Sequence, residues 1–143
     1  MLIPHVVQTE ADKIFVNVLN NQASSVTDGD AIAWNVSTPD GVRTTQPVSA
    51  TLSLLNGLAE GTIASSAYGL AQAYGFKTAA TVTNTTNTAI AAGDILIPVT
   101  GVDYLARSGA SDGKSGFVFA AAAVATATTP ALVASGGVFL KCL

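Results

Sequence analysis

The chain has 143 residues, of which 49% are hydrophobic but only 10% are charged and 6% aromatic, and its net charge is −3. Soluble domains usually carry about 25% charged residues. The length predicts one domain with a substantial core. The shortage of charge indicates that partners or further copies of the chain cover part of the surface, although a neutral, Thr-rich sheet surface is an alternative explanation.

Several classes of protein are not expected from the composition. The six basic residues are scattered singly, so no basic stripe can follow a phosphate backbone, and nucleic-acid binding is not predicted. Cys142 is the only cysteine, which fits a reducing compartment or assembly inside a cell. No secretory signal pattern opens the chain. Residues 116–140 are uncharged, but Pro130 and the Gly136–Gly137 pair interrupt them, so no membrane span is predicted.

The chain divides into an N-terminal arm, residues 1–12, and a single β-domain, residues 13–143. The arm is apolar near its start, and it is expected to lie along a partner or beneath the domain. Its candidate partner contacts are Leu2, Ile3, Pro4, Val6 and Val7. A strand is predicted from Lys13 to Asn20, and because both of its faces are largely apolar, it is expected to be buried on both sides.

A recurring unit organises the rest of the chain. In residues 89–101 a Gly93–Asp94 turn precedes a short apolar strand, and a looser copy occurs in residues 27–35 with Gly29 and Asp30. Glycine tolerates positive φ, and an Asp side chain can hydrogen-bond the neighbouring backbone, so both pairs predict tight turns. Pro98 cannot donate a ladder hydrogen bond and therefore lies at a sheet edge or near a strand end.

Further strands and turns follow at close spacing. Residues 38–41 form a strong turn signal, and its exposed Pro39 and Asp40 are candidate partner contacts. Residues 117–128 contain four consecutive alanines, which favour helix, but their β-branched neighbours favour strand, and strand is predicted. The other predicted strands cover residues 31–36, 42–45, 50–58 with Leu52 and Leu54 inward, 68–76 continuing as a β-branched stretch through 78–83, 104–107 and 138–143. No helical periodicity lasts for three turns. The chain is predicted to be all-β, a compact β-barrel or β-sandwich of short strands.

Catalytic constellations are absent from the sequence. His5 is the only histidine, and no nucleophile motif accompanies it. Asp28 and Asp30 match only the first positions of a calcium loop and fit turns better. In residues 109–115 the first glycine is one position too close for a phosphate-binding loop. Cys142 is interpreted as a small buried hydrophobe. The sequence thus predicts no catalytic, metal or cofactor-binding residue, no cofactor and no enzymatic activity.

Several segments together resemble the small decoration, or cement, proteins of tailed bacteriophages. They are residues 29–34, 61–64, 69–75, 90–96 with Pro98, and 117–121. The resemblance implies a compact β-domain on the exterior of a phage capsid, assembled in the host cytoplasm. It also implies contact with the major capsid protein and self-association as a trimer or another small cluster. It transfers no functional residue, because the shared residues form turns and core.

A second hypothesis is a phage tail or surface module that binds carbohydrate. Its sugar-stacking candidates are Trp34, Tyr68, Tyr74 and Tyr104. Packing in the core is the competing role of these side chains, since Trp34 and Tyr74 share strand faces with Ile32 and Leu70.

Overall fold

A computed structural model describes residues 12–83, 89–108, 118–124 and 132–142, with the backbone alone for 132–135. The strands are β1 (Ile14–Asn20), β2 (Ala31–Trp34), β3 (Arg43–Thr45), β4 (Leu55–Glu60), β5 (Tyr68–Thr83), β6 (Ile95–Pro98), β7 (Leu105–Arg107), β8 (Val118–Ala120) and β9 (Leu132–Lys141). One 3-10 turn covers Leu52–Leu54, and no α-helix occurs in the described ranges. The predicted all-β fold class is confirmed. None of the helical structure in these ranges has the length and hydrophobicity needed to cross a membrane.

All nine strands of the described residues belong to one sheet, which closes on itself twice. The strand order is β1-β3-β2-β4-β5-β7-β6-β8-β9, and additional pairings join β1 to β5 and β5 to β9. Two rings of five strands result, and both contain β5. We call the ring of β1–β4 with the first half of β5, up to Tyr74, the first unit. The ring of the second half of β5 with β6–β9 is the second unit.

The two units have the same topology. The first strand of each ring pairs in parallel with the third, β1 with β3 and β5 with β7. Every other pairing within the rings is antiparallel. Registers also correspond, since Ala31 and Ile32 pair with Leu58 and Gly57 as Ile95 and Leu96 pair with Phe119 and Val118. The chain is therefore a tandem structural repeat that shares one strand.

The Gly-Asp turns occupy equivalent places in the two units. Asp30 Oδ2 accepts a hydrogen bond from Thr27 N at 2.8 Å, and Asp94 Oδ2 accepts one from Ala91 N at 2.8 Å. The glycines between them have φ of +85° and +86°, so both turns use the left-handed region.

Hydrogen bonds then fix each turn to the fourth strand of its ring. Gly29 N donates to Ala59 O at 3.0 Å, and Gly93 N donates to Ala120 O at 2.7 Å. A β-bridge precedes each turn, Val26 with Ile63 and Ile90 with Val124. The recurring sequence pattern of a Gly-Asp turn followed by an apolar strand is thus part of a larger repeated structural unit.

Aliphatic side chains fill the rings, and none of the buried hydrophobic side chains among the described residues is aromatic. The first unit has a core of Val18, Val26, Ile32, Ala59, Ile63 and Ala71. The second core contains the corresponding Ala80, Ile90, Leu96, Ala120 and Val138. A ring of five strands encloses less space than the eight-stranded rings that hold large side chains. A narrow interior of this kind favours aliphatic over aromatic side chains.

Two expectations about strands were wrong. First, β1 is not buried on both sides, because nothing in the described residues covers its outward face, and Ile14 and Phe15 are exposed. Second, Leu52 and Leu54 lie on the 3-10 turn and not in a strand; Thr51 closes this turn by accepting a hydrogen bond from Val48 N and another, through its carbonyl, from Leu54 N. Residues 68–83 form one continuous strand, with a change of direction at Gly75, whose φ is +100°.

Candidate functional site

A buried lysine joins the two units. The Lys77 side chain is only 5% exposed, and Nζ donates to Asp28 Oδ1 at 2.9 Å and to Glu60 Oε2 at 2.7 Å. Desolvation lowers the pKa of Lys77, but the bonds to the two carboxylates outweigh it and raise that pKa above its ordinary value. Burial raises the pKa of Asp28, and the donors Gly61 N and Lys77 reverse this, so its pKa is lowered overall. These charges hold the second half of β5 against the first unit.

Asp30 and Asp103 make further polar contacts between the two units. We call these contacts, together with those of Lys77, the polar seam. Asp30 Oδ1 accepts from Thr81 Oγ1 at 2.9 Å, across the boundary between the units. Asp103 accepts from Gln22 Nε2 and Gln46 Nε2, both at 3.2 Å. Burial raises the pKa of Asp103; the glutamine donors lower it, and repulsion from Asp30 raises it further. Each of these carboxylates is occupied by a structural contact.

The described residues offer no metal centre. No group of three His, Cys, Asp or Glu side chains in these ranges could hold a metal ion. The two aspartates that the sequence left open as cation ligands, Asp28 and Asp30, are used by Lys77, Gly61, Thr27 and Thr81 instead. Their chemistry is that of turn caps and ion pairs.

Cys142 is half-buried and packs against the second core. Burial raises the pKa of its thiol to about 12. A thiol with such a pKa is almost entirely protonated at neutral pH and is a poor nucleophile. The interpretation of Cys142 as a small hydrophobe therefore agrees with its surroundings.

Of the candidate partner contacts, Pro39 and Asp40 lie together in the exposed loop between β2 and β3. Asp40 Oδ1 accepts hydrogen bonds from Arg43 N at 2.8 Å and Val42 N at 3.1 Å, which lower its pKa. Its other oxygen lies 3.2 Å from Arg43 Nη1. The remaining candidates, Leu2, Ile3, Pro4, Val6 and Val7, lie outside the described residues.

A row of apolar side chains runs across the outward face of the second unit. The paired positions Ile95, Phe119, Phe139 and Phe76 form it on β6, β8, β9 and β5, and we call them the outer row. Phe139 and Phe76 are 39% and 41% exposed. Tyr74 packs its ring edge against Phe139, with centroids 5.6 Å apart. Aromatic side chains grouped in this way are typical of binding surfaces.

A second group of apolar side chains lies on the first unit. Phe15, Tyr68 and Leu70 lie on the outward face of β1 and the first half of β5, the exposed Ile14 adjoins them at the start of β1, and we call the four side chains the β1 surface. Tyr68 is the most exposed of these side chains, at 64%. This surface begins two residues after Asp12, so it adjoins the predicted arm along the chain.

The sugar-stacking candidates are divided by the structure. Trp34, Tyr74 and Tyr104 are only half-exposed, and Tyr74 is engaged with Phe139. Tyr68 alone among the four is open to solvent. The structure does not bring these four side chains together as one described group.

Sequence reasoning did not identify either exposed surface. Phe76, Phe119 and Phe139 are far apart along the chain, and only the pairing of β5, β8 and β9 brings them into line. A usable signal exists in retrospect: each phenylalanine alternates with small or buried residues in its strand. That pattern places it on one face without saying what covers that face.

No protein-family model matches the chain, and no curated protein matches it in sequence.

Proposed function

We propose that this protein is a structural virion protein that binds the outer surface of a phage capsid and stabilises the lattice of the major capsid protein. The observation that carries the proposal is the presence of large apolar side chains, held by a closed sheet, on the outside of a chain with very little charge. The sequence resemblance to decoration proteins supplies the biological setting. Self-association as a trimer or another small cluster is part of the proposal.

The β1 surface is the proposed capsid contact. It combines four exposed apolar side chains with a rigid backbone, because β1 pairs with both β3 and β5. It also adjoins the predicted arm, which brings Leu2, Ile3, Pro4, Val6 and Val7 as further apolar contacts. Many equivalent weak contacts, repeated over a shell, give strong overall attachment.

The test uses capsids assembled without this protein. Wild-type protein is expected to co-sediment with them and to increase their resistance to heat. Leu70→Lys, which places a charge on the β1 surface, should reduce co-sedimentation by at least tenfold. The matched control is Val48→Lys, another exposed apolar position outside this surface, which should bind as wild type. If the wild-type protein does not co-sediment with these capsids and does not increase their resistance to heat, the proposal is wrong.

The arm has its own test. Deleting residues 1–8 removes every apolar candidate of the arm and should weaken capsid affinity while leaving the circular dichroism spectrum of the β-domain unchanged. Undiminished affinity after the deletion would remove the arm from the proposed contact.

A surface carbohydrate-binding module is the second candidate function, favoured by the exposed Tyr68 ring beside Leu70 on the same face. Exposed aromatic rings of this kind can stack on sugars. A glycan array separates the two candidates: binding that Tyr68→Ala abolishes would support the carbohydrate function, and an array without hits would exclude it.

A further inference from the structure

Three of the four positions of the outer row have counterparts in strand register on the first unit, and those counterparts are buried. Ile95, Phe119 and Phe139 correspond to Ala31, Leu58 and Gln72, since the two triplets occupy the same pairings of their rings. Ala31 and Leu58 have no exposed area, and Gln72 is 1% exposed. The fourth position, Phe76, corresponds to Phe15, and both are exposed. The face is therefore covered in the first unit at these three positions and open at the same positions in the second unit.

The second unit is what covers the first-unit face. Ala31 and Leu58 belong to the core cluster that contains Leu105, Val82 and Leu96 of the second unit. Gln72 is enclosed by β5 itself, because its Nε2 donates to the carbonyls of Tyr74 and Phe76 as the strand changes direction at Gly75.

The loop between β6 and β7 makes two backbone hydrogen bonds to the first unit. Ala31 N donates to Asp103 O at 2.6 Å, and Gly101 N donates to Pro47 O at 2.8 Å. The repeat has a corresponding loop in the first unit, residues 35–42 between β2 and β3. In that loop residues 36–41 are exposed, and Val36 is 52% exposed.

The open face also differs in chemistry from the covered one. Asp28 and Glu60, which bind Lys77 of the second unit, correspond to Ala92 and Ala121, both exposed. Ala31, Leu58 and Gln72 correspond to larger apolar side chains in the outer row. The covered face thus uses ion pairs with a fixed neighbour. The open face is mainly apolar, with the exposed Lys141 beyond Phe139 on β9, and it suits a neighbour that binds by association.

We propose that the outer row binds a second copy of this chain head-to-tail, with the β2–β3 loop of that copy seated where the β6–β7 loop is seated within one chain. The contact is heterologous: each copy offers its second-unit face and uses its first-unit loop. Such contacts generate closed rings or extended chains, whereas an isologous contact stops at a dimer. This inference rests on the self-association in the proposed function and does not require capsid binding.

The experiment measures the mass of the purified full chain by sedimentation velocity without capsids, over a wide range of concentrations. Wild-type protein should form assemblies larger than a monomer. Phe139→Lys breaks the outer row and Val36→Lys breaks the loop, and each variant alone should be monomeric with an unchanged circular dichroism spectrum. Phe76→Lys provides a second lesion in the row if Phe139→Lys does not fold. Val48→Lys is the control and should assemble as wild type.

Mixing the two monomeric variants distinguishes the head-to-tail contact from other geometries. One intact row then meets one intact loop, so the mixture should form a heterodimer and nothing larger. A monomeric wild type, an assembling Val36→Lys or a mixture that stays monomeric would each overturn the proposal. Because no capsid is present, failure here is separate from failure of the Leu70→Lys capsid experiment.

Discussion

Gly29 and Gly93 occupy the same turn in the two units but have opposite surroundings. A Cβ atom on Gly29 would lie 2.6 Å from the backbone oxygen of Ala79, whereas no described atom lies within 4 Å of the same position on Gly93. Both residues have positive φ. Because the turn conformation is the same, a difference between substitutions at the two glycines reports on the contact between the units alone.

The two glycines give a matched pair of substitutions. Gly93→Ala should cost about 1 kcal/mol of unfolding free energy, which is the price of an L-residue in the left-handed region. Gly29→Ala introduces the same backbone strain and also forces the turn away from β5. It should therefore lower the unfolding free energy by about 3 kcal/mol or more. Urea denaturation measures both. Equal losses would contradict the close approach of the first turn to β5.

Replacing Lys77 should loosen the seam between the units. Lys77→Met removes both ion pairs and should lower the unfolding free energy by about 1–2 kcal/mol, a moderate loss because Asp28 and Glu60 are half-exposed and can be rehydrated. The raised pKa of Lys77 sets the pH dependence. Its contribution is complete below the ordinary lysine pKa of about 10.4 and is lost as the pH rises through the raised value.

Denaturation of wild type and Lys77→Met from neutral to alkaline pH tests this dependence. The difference between the two proteins should shrink at the alkaline end. The same substitution at the exposed Lys13 is the control and should change stability little at any pH. A constant difference between wild type and Lys77→Met would argue against the ion pairs.

Asp103 should make the protein respond to acid in the opposite direction from an ordinary paired carboxylate. Because the pKa of Asp103 is raised, the folded protein binds a proton more readily there than the unfolded chain does. The contribution of Asp103 to stability therefore falls as the pH rises from the ordinary aspartate pKa of about 3.9 through the raised value. Asp103→Asn, which is neutral throughout, should gain stability relative to wild type over that range. Parallel stability curves for the two proteins would refute this.

Cys142 should be almost inert in the folded protein. A pKa of about 12 leaves roughly one thiol in ten thousand ionised near pH 8. Reaction with a thiol reagent such as Ellman's reagent should be slower than in the denatured chain by about three orders of magnitude. Comparison of the rates with and without denaturant measures this, and similar rates would show that the side chain is neither desolvated nor protected.

The short-range features of the fold were predictable and the long-range ones were not. Gly93 and Asp94 identify their turn because Gly and Asp act on the nearest backbone atoms, and Pro98 correctly marks a strand end. The correspondence of Leu58 with Phe119 has no sequence signal, because the repeat is carried by backbone pairing while the side chains have diverged. The exposure of Phe139 depends on whether another part of the chain packs over this face of the second unit. Periodicity within a strand does not contain that information.

The strand β5 has a consequence for how the molecule comes apart. It forms hydrogen bonds to β1 and β4 in one ring and to β7 and β9 in the other. Withdrawing it would leave both rings open, so neither half is expected to fold alone and the protein should melt in one transition. A mechanical force applied to one half is transmitted to the other through the hydrogen bonds on both edges of β5. No flexible linker separates the two halves of this strand.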